Sequence, residues 1–482
     1  MISHLGNYLD RKFSFIPPNS DIQTFLEFLL QVVQSQSLVV SIPVLVTWTR
    51  LLNHRALGPS IVKTHLVGPL LEVCSSRLVR YESLPEDTSD PTLMLLVEDT
   101  DTIPERHAFL GNYRRYSSQV IESIVELTLS DAINYILGQT DNVLQHLYDG
   151  QPPLNPANYI KNSMAYLRVD AQFTVIESAL KGYVRAKPPK GVSQEQVEAQ
   201  KAQVEGHLEA WCNRLVDMKF EDPLIQKRVL QLLVAFSTTA LRKNTGFMLK
   251  VLEHILMTWP ATHPEHRNFN EAIKDLQAES LNELQRLAFK MPDNLLGVYE
   301  QLDAKINEMS ASGTLDERRL VNYKTFLFII VHRATNIDQT TRIQRLQAFV
   351  EPVKAQWRDE GLKRALASYQ GFCEMTGLDK AQRYLVDRRV DRISDWGSVE
   401  LDAEGLALQV ELEERQQVGA HPNLPSWLGS DGYSHSSCLS VPQNHSSTTL
   451  LIRSRRLLHP MKHRASCGRT ASHLYYQSSS NS

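Results

Sequence analysis

Apolar residues recur at three- and four-residue spacing over most of the first 416 positions, in pairs of blocks separated by short turns. The clearest pair lies between Glu221 and Pro260. Asp222 and Pro223 open its first helix, because an acidic residue suits the amide end and the missing proline N–H costs nothing there. Leu224, Ile225, Val229, Leu232, Leu233 and Phe236 follow at helical period. The helix is expected to stop near Lys243 and Asn244, where Asn244 and Gly246 supply turn chemistry. A second series runs through Phe247, Val251, Leu252 and Ile255 to Trp259 and Pro260. Neither helix can hide its broad apolar face alone. Each pair must stack on a neighbouring pair, and repetition of that step predicts an all-α helical-repeat solenoid.

The same rhythm predicts helices over 22–35, over 38–54 with an interruption at Pro43, and from Pro59 to about Arg80. It breaks over 82–106, where Pro85, Pro91 and Pro104 accompany eight acidic residues and no Lys or Arg precedes Arg106. Proline strain and self-repulsion there predict an acidic surface loop. Helices resume from His107 to Tyr148 and from Tyr159 to Val184. After a Lys- and Pro-rich break at 186–192, a polar helix ends at Trp211, Leu215 and Met218. Further helices are expected over about 268–290, 292–309, 315–334 and 338–357, then shorter ones to about Gln416. No pair of strands with hairpin turn chemistry is evident.

Composition divides the chain once. Over the whole 482 residues, 42% hydrophobic and 22% charged content suits a folded protein, and a formal charge of -3 gives no global reason to expect nucleic acid. From residue 417 to Ser482 periodicity vanishes, Ser and His become abundant, and Asp431 is the one acidic residue beside six Arg or Lys. The expected organisation is therefore a repeat region over 1–416 and a disordered basic tail over 417–482. Five scattered cysteines without a CxxC point to reduced thiols, and no apolar run is long enough to span a bilayer.

Catalytic chemistry has little support. There is no Gly-rich phosphate loop, HExxH or GxSxG. His263, Glu265 and His266 share a loop but lack a further evident metal ligand. His207 and Glu209 near Cys212 read as the solvated side of an amphipathic helix. No enzyme, small-molecule substrate, cofactor or metal is expected. What remains is paired cations near expected helix ends or turns: Arg114–Arg115, Arg242–Lys243, Arg318–Arg319 and Arg388–Arg389. Equivalent positions of successive repeats line one face, so such pairs can form a basic stripe for phosphates; equally, each can simply favour a helix carboxyl end. Arg242 and Lys243 stand out, because they fall at the turn of the clearest pair.

The central pair DPLIQKRVLQLLVAFSTTALRKNTGFMLKVLEHIL, the helices within DLQAESLNELQRLAFKMPDNLLGVYEQLDAKINEM and the run LDERRLVNYKTFLFIIVHRATN resemble the middle of the exportin-5 family of importin-β-like nuclear export receptors. The stretch TFLEFLLQVVQSQSLVVSIPVLVTWTRLLNH and the acidic LVEDTDTIPERHAFLGNYRR are similar to that family as well, and the likeness runs to about Gln416. The resemblance implies HEAT-type repeats that, with Ran-GTP, wrap RNA such as tRNA or precursor microRNA, or phosphorylated proteins, and carry them past nuclear pore proteins between nucleus and cytoplasm. It also implies a fragment lacking the amino-terminal repeats that hold Ran. A non-transport HEAT-repeat scaffold for protein–protein interaction would share the same periodicity.

Overall fold

The computed structural model describes residues 2–17, 19–84, 88–150, 153–186, 194–393, 399 and 401–419. Among them there is no strand. In chain order the helices are α1 (Ile2–Lys12), α2 (Ile22–Val33), α3 (Leu38–Asn53), α4 (Leu57–Ile61), α5 (Val67–Ser76), α6 (Pro91–Glu98) and α7 (Ile103–Leu127). Next come α8 (Leu129–Gln145), α9 (Met164–Arg185), α10 (Gln194–Asp217), α11 (Pro223–Thr238), α12 (Thr245–Met257) and α13 (Arg267–Lys290). The remainder are α14 (Pro292–Leu296), α15 (Tyr299–Ala311), α16 (Glu317–Arg333), α17 (Gln339–Trp357), α18 (Glu360–Leu366), α19 (Tyr369–Thr376), α20 (Leu378–Asp387) and α21 (Ala403–Gly419).

Residues 1–346 form one compact unit. In it α1, α3, α7, α9, α11, α13 and α16 make a main row in which each helix packs on the next. A flanking row covers them: α2 lies on α3, α5 on α7, α8 on α9, α12 on α11 and α13, and α15 on α16. This is a helical-repeat solenoid. Side chains from adjoining helices fill its core, with Trp48, Tyr113, Phe173, Phe236, Phe247 and Phe326 all fully buried. Tight approach is possible at Gly182, where an added Cβ would lie 2.6 Å from the Glu122 carbonyl oxygen of α7.

Cross-helix hydrogen bonds fix the direction of the main row. Ser41 meets Tyr113 and Asn53 meets Ser123 between α3 and α7; Gln231 meets Glu279 between α11 and α13, and beyond them Arg242 reaches Lys290. Partner numbers rise together, so these helices run parallel and their carboxyl ends share one edge.

Several boundaries differ from those the sequence suggested. The acidic stretch is not simply a loop: Asp90 accepts the Leu93 N–H, Pro91 occupies the first turn, and α6 buries Thr92 and Leu96. Its acids cap and flank a short helix instead of unfolding it. Pro43 does not interrupt α3, because the position loses a single backbone donor while tertiary burial holds both sides. The expected helix from Pro59 is two, α4 and α5, divided where the Thr64 Oγ1 donates to the Ile61 carbonyl. The first helix of the central pair ends at Thr238, earlier than expected, and buried Ala240 and Leu241 fix the turn that follows. Tyr159 precedes α9 instead of belonging to it, and its hydroxyl donates to the buried Asp222 at 2.8 Å. Helix α1 had no strong sequence signal.

The described residues from Gln347 to Gly419 form the second unit. Tyr384, Leu385 and Val390 make a small core against Ile393, Leu401 and Leu408. Gly377 joins α19 to α20 at φ 74°, a left-handed conformation that disfavours a side chain. Helix α21 runs through Gly419, beyond the expected boundary at 417, and the disordered tail expected beyond it lies, from residue 420 on, outside the described residues.

Candidate anion-binding edge

The carboxyl ends of α11, α13 and α16 bring together four exposed cations. After α11, buried Leu241 anchors the turn, leaving Arg242 and Lys243 exposed before Asn244, whose Oδ1 accepts the Phe247 N–H at 2.9 Å and starts α12. Arg242 Nη2 lies 3.5 Å from the carbonyl oxygen of Lys290, the last residue of α13. Arg333 ends α16, and its guanidinium sits 5.2 Å from the centroid of the 41% exposed Phe289 ring. Among the described residues, none of Arg242, Lys243, Lys290 and Arg333 has a carboxylate within ion-pair distance.

The neighbouring cations at the end of α9 and in the last turns of α13 are already engaged. Arg185 and Lys181, at the end of α9, approach the buried Glu122 at 2.8 and 3.5 Å, and Arg286 holds the buried Glu283 at 3.0 Å. At the described carboxyl ends from α9 to α16, the cations without an acid partner therefore begin after α11. A row of positive groups beside helix carboxyl ends is itself favoured by the helix dipoles. An exposed aromatic ring beneath one of them adds a surface on which a planar group can rest.

The four cation pairs anticipated from sequence do not form one stripe. Arg114 and Arg115 lie in the middle of α7, not near a terminus. Arg114 bonds Glu82 at 2.7 Å, and although burial works against ionisation, that guanidinium holds the Glu82 carboxyl below its ordinary range. Arg115 rests on the Tyr116 ring. Arg318 and Arg319 occupy the first turn of α16, on the opposite edge from Arg333. Arg319 is only 7% exposed, stacked 4.3 Å from the Trp259 ring centroid and donating to Tyr323 Oη at 3.0 Å. It staples α16 to the chain after α12. In the second unit Arg388 is held by Asp402 and Glu404. Thus Arg242 and Lys243 keep free charge, while Lys290 and Arg333 join them unannounced. Their only sequence signal was a lone cation at a helix carboxyl end, which acquires meaning once the helices are known to be parallel.

On α10, His207 Nδ1 lies 3.3 Å from Asn134 Oδ1 of α8. His263 Nδ1 lies 3.2 Å from exposed Glu265, and no cluster of three metal-capable side chains occurs among the described residues. Burial, with Glu209 nearby, pushes the Cys212 thiol well up, so it is held protonated. No described helix is long and apolar enough to cross a membrane.

A helical-repeat array of this kind works through its edges and faces. Comparison with known proteins then gives the lineage: residues 1–479 match the Exportin-5 family, and the chain belongs to that family. It is 27% identical over 418 residues to an uncharacterized protein of Schizosaccharomyces pombe, covering 84% of this chain and 33% of the relative. It is 26% identical over 405 residues to Protein MSN5 of Saccharomyces cerevisiae, covering 83% of this chain and 32% of that protein. The chain thus spans about a third of the length of the curated relatives it matches.

Proposed function

We propose that this chain is the repeat region of a karyopherin-type nuclear export receptor, carrying RNA or phosphorylated protein cargo from nucleus to cytoplasm with Ran-GTP. Membership of the Exportin-5 family carries this reading. Ran-GTP would be held through repeats outside this chain, nuclear pore proteins would be met in transit, and the protein would shuttle between the two compartments. Arg242, Lys243, Lys290 and Arg333 supply unpaired positive charge of the kind phosphate groups seek.

Salt titration of binding tests the cargo role. A short RNA duplex or a phosphopeptide should bind with an affinity that falls steeply as salt rises, because each phosphate contact releases counterions. Reversing charge with Arg242→Glu and Lys243→Glu should reduce the affinity and flatten the slope by about 2. Unchanged affinity in that variant would remove the edge as a cargo site. Salt-insensitive binding to an unphosphorylated folded partner would instead favour an interaction scaffold.

A further inference from the structure

Five hydroxyls among the described residues stand three positions after an arginine: Ser14, Ser83, Ser117, Ser118 and Thr245. Ser117 is fully buried, Ser118 lies within α7, and Ser83 is half-buried in a single 3-10 turn. Ser14 and Thr245 are exposed, and each follows an Arg-Lys pair. Only Thr245 is on the cationic edge. It is the first residue of α12, its Oγ1 accepts from Asn294 Nδ2 at 2.9 Å, and Arg242 just before it touches the Lys290 carbonyl.

We infer that Thr245 is a phosphorylation site for an arginine-directed protein kinase, and that its phosphate switches off anion binding at the Arg242–Lys243–Lys290 edge. Kinases that choose substrates by charge read cations at such spacings, and here the cations they would read are the ones that carry the edge. In the transfer, Thr245 Oγ1 attacks the γ-phosphorus of ATP and the bond from that phosphorus to the β,γ-bridging oxygen breaks. ADP leaves, and the hydroxyl proton passes to the kinase's base. The product carries about -1.5 to -2 charge at neutral pH, at the amino end of α12, where negative charge is tolerated. Its oxygens are acceptors for Arg242 and Lys243, so the edge would be occupied by its own phosphate. Ser14, at the far end of the main row, would accept phosphate without touching this edge.

The switch rests on the reading of the edge as a cargo surface, and the experiment separates the two. The folded chain is treated with the catalytic subunit of an arginine-directed kinase and ATP, phosphate is located by peptide mass mapping, and binding of a short RNA duplex is measured across a salt series. Phosphate on Thr245, affinity lowered about tenfold and a salt slope reduced by about 2 are expected. Thr245→Ala should block modification there, keep the original affinity, and leave Ser14 available as an internal control. Absence of phosphate on Thr245 in the folded protein overturns the site. Phosphate on Thr245 with unchanged affinity, while Arg242→Glu with Lys243→Glu weakens binding, overturns the switch but not the edge. If neither change alters affinity, the edge reading fails and the switch fails with it.

Discussion

Arginine is used in two opposite ways near the start of α11 and just beyond its end. Between α9 and α11, Asp170 is 2% exposed and is reached by two cations: Arg80 Nε at 2.7 Å and Arg228 Nε at 2.8 Å. The second contact is one of charge without good hydrogen-bond alignment, since Arg228 Nη1 also turns to Glu177 at 3.0 Å. At the edge beyond α11, Arg242 finds only a carbonyl and Lys243 finds no acid. The contrast teaches where charge holds the array together and where it is left for something else. Buried pairs are costly to break because a partner is left desolvated; exposed lone cations lose little when changed.

The sharpest way to break that contrast is inside. Asp170→Ala should destabilise by about 3 kcal/mol or more, because Arg228 stays buried with half its acid partners gone. Urea denaturation would measure it, and replacing Asp170 by Leu together with Arg228 by Met should recover much of the loss. A result under about 0.5 kcal/mol would put the seam in the same category as the surface.

Glu283 sharpens the comparison through pH. Burial, reinforced by Glu279 and Glu177 and opposed by Arg286, raises its carboxyl to about 7. The 3.0 Å contact with Arg286 does not reverse this, because that arginine is itself 44% exposed and screened by water. With the folded value above the unfolded one, the native state binds the extra proton. The stability gained is full below about pH 4.5 and is lost as pH rises to about 7, by up to about 3 kcal/mol. Glu283→Gln should flatten that part of the stability–pH curve and raise stability at pH 8; an unchanged curve would mean the group ionises freely.

Packing gives a smaller effect. Gly182→Ala places a methyl against the α7 backbone and should cost about 1–3 kcal/mol by thermal or urea unfolding. Smallest of all, Arg242→Glu with Lys243→Glu should shift stability by no more than about 0.5 kcal/mol while weakening anionic ligands. Unfolding of that variant would show that the edge is structural.

Much of this was legible in the sequence, for identifiable reasons. Helices with one wide apolar stripe announce themselves, so α11, α12 and α16 were placed within a few residues. The acidic stretch misled because its prolines suggest backbone strain and its acids mutual repulsion, whereas at a first turn Asp90 and Pro91 start a helix. Charge partners are another matter. That Arg114 is taken by Glu82, and Arg319 by Trp259, depends on contacts over 32 and 60 positions, which no local pattern encodes. Arg242 and Lys243 were recognisable because they sit in a turn, where few side chains can reach back to neutralise them.

The parallel run of the main row also makes the edge a graduated scale. Neighbouring packed helices lie about 8–10 Å apart, so Lys243, Lys290 and Arg333 mark successive divisions at roughly that interval. An array that gained or lost a repeat would change its reach in whole steps and never by fractions. Ligand length, titrated with anionic oligomers of graded size, should therefore register as plateaus in affinity, with the step width set by the helix diameter.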